Sequence, residues 1–228
     1  MTTQFQALLL GSTKGIGSAA LKAALNLGYK ARPISSKDVD IASEDSIENF
    51  TKKLKGNKYD LILLNSGGLP PTKISIEDGK TSQLRNPVST SLNAHTLGYL
   101  SLLEKISLNK NCLILHVSSH VVHSKEDIMF ASAVARSAME QMISYLPVIY
   151  KDYKITGINL RFGPVLTDRL AKLLENSSLD PKDLMKDLNA CSDSPISLDQ
   201  LYNLIPLKPH SKLLFPPQSL PVFAGGWQ

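Results

Sequence analysis

The chain has 228 residues, 43% apolar and 20% charged, which argues against disorder and suffices for one sizeable core. Its net charge of +5 is dispersed. The densest clusters, Lys52-Lys53-Lys55 and residues 151–154, include acids or lie near them, so no basic stripe suited to nucleic acid forms.

Residues 5–10 form a short apolar run that stops at Gly11. Beyond it Ile16, Ala20, Ala23 and Leu27 recur at helical spacing, and Gly28 supplies a stop. Strand-like runs follow at 31–34, 39–41, 59–65, 112–118 and 155–160. Helical patterns separate most of them, at 46–54, 91–106 and 130–150. Residues 67–87, rich in Gly, Pro, Ser and Thr, read as a long loop. Residues 167–193 carry two short helical patterns, either a substrate lid or a surface pair. Near-continuous apolar strands alternating with helices predict an α/β domain over residues 1–228. Its sheet is doubly wound, parallel and flanked by helices on both faces, a Rossmann fold.

Apolar runs stay well short of the roughly 20 residues of a membrane span. The N-terminus lacks the basic and apolar regions of a signal peptide, so the expected location is cytoplasmic. Cys112 and Cys191 form no CxxC pair, and His116 four residues after Cys112 makes no zinc signature, so no metal is expected.

The first strand-to-helix turn reads Gly11-Ser12-Thr13-Lys14-Gly15-Ile16-Gly17. Gly11 permits a sharp turn, Gly15 lets backbone approach a pyrophosphate, and Gly17 allows close helix–strand packing. The helix N-terminus then offers unbonded N–H groups and a positive dipole end to phosphates.

The spacing of these glycines resembles that of the short-chain dehydrogenase/reductase family. So do Asp40-Ile41 and Asn65-Ser66-Gly67, which the resemblance places around the adenine side. Val117-Ser118-Ser119 is similar to the strand end that bears the family's catalytic serine. Residues 159–167 resemble the loop over the nicotinamide, with Gly163-Pro164 in reversed order and Thr167 after it. Residues 222–227 resemble the family's last strand and glycine pair. One departure is that few residues separate 34 from 39, so the helix usual between strands two and three is absent or reduced.

The resemblance implies a nicotinamide cofactor. An acid that bonds a ribose diol would stand about 20 residues beyond the last glycine. That count from Gly17 lands on Lys37, beside Ser35 and Ser36, and Lys14 precedes the second glycine. Two cations and two hydroxyls favour NADP(H) over NAD(H). Asp38 argues the other way.

The resemblance further implies a serine, a tyrosine 13 residues on, a lysine four beyond that, and a supporting asparagine. Here Ser119 matches the serine, Ser132 and Arg136 stand at the next two positions, and Asn93 matches the asparagine. Spacing i, i+4 keeps Ser132 and Arg136 on one helix face. Serine is a much poorer acid than a phenol. His95, His120 and His123 are alternative proton donors.

Three readings stay open: a redox enzyme acting on a carbonyl or alcohol, a nucleotide-binding protein with a non-redox role, and a non-catalytic partner of an active relative. The family's pairing through two long helices implies a homodimer or homotetramer, or a hetero-oligomer. Their counterparts here are 91–106 and 130–150.

Overall fold

The computed structural model describes residues 4–65, 82–119, 122, 130–163, 165, 167–168 and 220–222. Its apolar runs form one parallel sheet: β1 Ala7–Leu9, β2 Lys58–Leu64, β3 Ser107–Ser119, β4 Thr156–Phe162 and β5 Leu220–Val222. The strands neighbour one another in that order. Leu9, Leu63 and Leu115 lie in register across β1, β2 and β3, and Leu115 pairs with Ile158 of β4. Residues 61–64 are wholly buried, as strands covered on both faces must be.

Helices supply that cover: α1 Gly15–Asn26, α2 Glu44–Lys53, α3 Ser82–Leu92, α4 Gly98–Lys105 and α5 Phe130–Ile149. A π segment, Asn93–Leu97, joins α3 to α4. Alternate strand residues face opposite layers. Leu113, Leu115 and Val117 of β3 pack with Ala19, Ala20, Ala23 and Ala24 of α1. Cys112 and Ile114 pack instead with α2, α4 and α5 through Phe50, Leu102, Met139 and Ile143. Helix α2 begins where Ser43 accepts the Ser46 N–H, and its first-turn acids and last-turn lysines both suit the helix dipole. The structure is thus the expected Rossmann fold, a parallel sheet with helices on both faces.

Three expectations are corrected. Residues 31–34 are not a strand. Only a single bridge, Gln6 to Lys30, continues the sheet there. Pro33 has no N–H to give a ladder, and Ile34 is instead bonded to Ser12. Residues 39–41 are not a strand either. Asp40 turns the chain, accepting the Ala42 N–H on its carboxylate while its own N–H goes to the Ser46 hydroxyl. The stretch 67–87 is not loop to its end, because α3 begins at Ser82 and contains Pro87. Packing of α3 on α5 overrides the turn-like composition. The reduced crossover is as expected: residues 36–38 make one turn where a helix would stand.

Helix α4 approaches its neighbour very closely. A Cβ on Gly98 would lie 1.8 Å from the Ile41 carbonyl oxygen. Only glycine lets the 40–41 corner sit against this helix. Of the last strand and glycine pair expected at 222–227, only Val222 is described, as the end of β5, and the rest lies outside the described residues. Of the expected lid only Thr167 and Asp168 are described.

Candidate nucleotide site and catalytic centre

The glycine turn has the backbone its sequence requires. Gly11 and Gly15 have φ of +63° and +53°, a region that disfavours other side chains. Asn65, directly after β2, donates its side-chain amide to the Gly11 carbonyl at 2.9 Å. A Cβ on Gly11 would fall 1.6 Å from the Asn65 carbonyl oxygen. A Cβ on Gly17 would fall 2.0 Å from the Gly11 oxygen and 2.6 Å from the Asn65 amide nitrogen. Asn65 thus locks the turn against the sheet.

Above this lock the start of α1 faces outward. Its cap residue Lys14 is extended, no side chain caps it, and the first turn carries no acid. Such an end leaves N–H groups for an anion. Thr13 and Lys14 are exposed beside it. Ile16 is half-buried and packs on the α1 layer. Ser12 turns inward: its hydroxyl accepts the Ile34 N–H, while its own N–H donates to the Ile34 carbonyl. It holds the next segment in place and does not itself point toward a ligand. Thr167 closes over the turn, its methyl 3.1 Å from where a Gly15 Cβ would be. The loop after β4 therefore meets the glycine turn. Ser66, Gly67 and Pro164 lie outside the described residues.

The residues past 34 divide by role. Ser36 and Lys37 are exposed, and Ser35 is half-buried. Asp40 is spent on its corner, and Ile41 is buried. Arg32, which the sequence reading missed, is 58% exposed and pairs with Asp38 at 3.3 Å. Its signal was a cation inside a weak apolar run. Ser35 donates both its backbone N–H and its hydroxyl to the other oxygen of Asp38, at 2.9 and 3.0 Å. These two bonds, then Arg32, hold the Asp38 carboxyl below the usual range. The combined donor set fits a dinucleotide: open N–H groups at a helix start, Lys14, two exposed cations and hydroxyls.

The catalytic candidates divide too. Ser119 is half-buried at the end of β3, opposite Phe162 of β4. Ser132 and Arg136 share a face of α5, as spacing required. Arg136 donates Nε to the Ser132 hydroxyl at 3.3 Å and Nη1 to the Val117 carbonyl at 2.9 Å. That second bond brings the guanidinium to the strand end bearing Ser119. The π segment docks on the same turn, where the Thr96 hydroxyl donates to the Ala135 carbonyl at 3.0 Å. Asn93 opens this segment with its side chain exposed and its carbonyl accepting the Gly98 N–H.

His95 is buried beside Arg136. Burial first, and the guanidinium second, push its pKa down to about 4. Both influences favour the neutral ring over the imidazolium. His120 and His123 lie outside the described residues.

Sequence reasoning also missed a buried polar group beneath this centre. Glu140, one turn beyond Arg136, is only 5% exposed. Its carboxylate accepts the Ser118 hydroxyl at 2.6 Å and Arg161 through Nε at 2.9 and 3.0 Å and through Nη2 at 2.5 Å. Asn159 donates its amide to the Glu140 carbonyl, which leaves its Oδ1 to accept from His116 Nδ1 at 2.9 Å. Burial holds His116 down near 3, with the Asn159 bond opposing. Burial alone would raise Glu140, but the bonds from Arg161 and Ser118 outweigh it and leave its pKa low.

Among the described residues no helix is long and apolar enough to cross a membrane, and no group of three or more acids, cysteines and histidines could hold a metal. No protein-family model matches the chain, and no curated protein sequence does. Solved structures do. A short chain dehydrogenase family protein from Francisella tularensis aligns with a TM-score of 0.75 at 16% identity, covering 97% of this chain and 98% of that one. L-Sorbose reductase from Gluconobacter frateurii, complexed with NADPH and L-sorbose, aligns at 0.73 and 15%, covering 98% and 95%. The RhlG/NADP active-site complex from Pseudomonas aeruginosa aligns at 0.77 and 15%, covering 97% and 95%. At these identities the likeness is one of fold.

Proposed function

We propose that this chain is an NADP(H)-dependent oxidoreductase of the short-chain dehydrogenase/reductase kind, acting on a carbonyl or alcohol substrate through a non-standard centre. The observation that carries the reading is the glycine turn, locked by Asn65 beneath the outward-facing start of α1 and met by Thr167. The structural likeness to an L-sorbose reductase complexed with NADPH and to the RhlG/NADP active-site complex supports it.

In this reading the N–H groups at 15–17 and Lys14 hold the pyrophosphate, while Ser35, Ser36, Lys37 and Arg32 face the adenosine 2′-phosphate. NADP(H) supplies the hydride chemistry when bound. Ser119 donates its hydroxyl to the substrate oxygen. Arg136 keeps Ser132 oriented and places a permanent positive charge near the oxygen that gains electron density. With serine in the tyrosine position the general-acid contribution, typically about 10²–10⁴-fold, is weakened. Turnover should be slow. The cytoplasmic location and a homodimer or homotetramer belong to the same proposal.

The test is a fluorescence titration of the purified protein with NADPH and NADH, followed by a carbonyl screen. Submillimolar binding with preference for NADPH is expected. Ser119→Ala should then lower turnover by about 10²–10³-fold without changing nucleotide affinity. Failure of both nucleotides at millimolar concentration would sink the reading for the isolated chain.

A second reading, a non-catalytic partner in a hetero-oligomer, draws on Tyr145, Val148 and Ile149. They expose 60%, 70% and 65% of their surfaces on α5. Light scattering of the chain alone distinguishes it, since a stable monomer without nucleotide binding is its expected outcome.

A further inference from the structure

The turn at 35–38 is an anion clasp with an anion already in it. Three donors from two residues converge on one carboxylate: the Ser35 N–H, the Ser35 hydroxyl and Arg32 Nη1, at 2.9, 3.0 and 3.3 Å. The clasp sits at the surface, with the Arg32 and Asp38 side chains 58% and 31% exposed. It is also tied to the glycine turn, because Ile34, next to Ser35, exchanges two hydrogen bonds with Ser12 at 2.9 and 3.0 Å. A dinucleotide whose pyrophosphate lies on that turn brings its adenosine ribose to the end of this segment. An acid there suits a ribose diol and an arginine suits a 2′-phosphate. Here the two are paired with each other.

We infer that Asp38 is an internal competitor for the 2′-phosphate, so that NADPH gains Arg32 and Ser35 only by displacing the protein's own carboxylate. This rests on the nucleotide-binding reading above. The displacement is a like-for-like exchange of one anion for another. It leaves the Asp38 charge a few ångströms from the phosphate, where two like charges at a surface repel. NADH meets no such conflict, since its ribose hydroxyls can donate to Asp38. The wild type therefore discriminates between the two nucleotides less than its cations alone would dictate.

The experiment is calorimetry of wild type and Asp38→Asn with NADPH, NADH and adenosine 2′,5′-bisphosphate. Asparagine keeps the shape and an acceptor oxygen for Ser35 but removes the charge. Expected is a gain of about tenfold for NADPH and for the bisphosphate, with NADH unchanged or weaker. Unchanged or weakened NADPH binding in the variant, with wild-type binding intact, overturns the inference alone and makes Asp38 a turn-former only. Binding of no nucleotide by either form overturns it together with the nucleotide reading. If Asp38→Asn does not fold, Asp38→Ser retains a hydroxyl acceptor and reads the same difference.

Discussion

Gly17→Ala should abolish nucleotide binding and destabilise the chain, although alanine favours a helix over glycine by about 1 kcal/mol. Gly17 lies in the first turn of α1, so propensity alone predicts a gain. Steric overlap decides otherwise. The added methyl would meet the Gly11 oxygen at 2.0 Å and the Asn65 amide at 2.6 Å. The first is backbone and the second is itself bonded to that oxygen, so neither is a flexible tip that can move aside. Overpacking costs roughly 1–3 kcal/mol, and loss of the part-buried Asn65 bond adds about 1–3 kcal/mol. The net destabilisation is about 1–5 kcal/mol, and a chain of this size melts about 2–4 °C lower per kcal/mol. Affinity should fall more steeply, because several N–H contacts to phosphate are misaligned together. Each 1.4 kcal/mol is about tenfold, so a loss of 100-fold or more is expected. A melting curve with an NADPH titration checks both. A raised midpoint with unaltered binding would show that propensity governs this position and that the turn is looser than described.

The second large effect concerns Glu140. Glu140→Leu leaves Arg161 and the Ser118 hydroxyl without their carboxylate inside the α5 interface. Removing one partner of a buried pair typically costs about 3–5 kcal/mol. Arg161 retains 27% exposure and can draw on water, so the lower end applies, with a midpoint roughly 6–12 °C lower. Replacing both partners, Glu140→Leu with Arg161→Met, should recover much of that loss, since apolar pairs often substitute for buried ion pairs without penalty. Differential scanning calorimetry of the three proteins tests this. If the double variant is no more stable than the single, the carboxylate matters through Ser118 and not through Arg161. The pair also has a pH signature. A folded carboxyl held below its unfolded value stabilises the protein fully above the unfolded pKa, about 4.3. That contribution disappears as pH falls through the folded pKa. The wild-type midpoint should therefore drop below about pH 4, and the double variant should lack this part of the loss.

The glycine turn, the i, i+4 spacing of Ser132 and Arg136 on α5 and the parallel sheet were legible because each is written locally. A turn needs its glycines within a few residues, and Ser132 and Arg136 share a face by helix geometry alone. Residues 31–34 misled because a short apolar run does not say whether it has a ladder partner, and Pro33 removed the N–H it needed. Arg32 with Asp38, and Glu140 with Arg161 and Ser118, were invisible for another reason. Nothing in Glu140's neighbourhood on the chain distinguishes it from a solvated helix residue. Only the folding of β3 and β4 against α5 brings Ser118 and Arg161 to it. The lowered pKa of His95 was hidden for the same reason, since burial beside Arg136 is a tertiary property.

The reduced second crossover has a consequence for the border of the sheet. Among the described residues the sheet ends at β1, flanked only by the segment from Lys30 to Ile34. An unfinished border of this sort is a template on which another extended chain can add hydrogen bonds and seed aggregation. The border residues resist that. Pro33 offers no donor, and Lys30 and Arg32 bring like charges that a second copy of the same border would have to approach. The residues left at this margin are thus poor partners for one another.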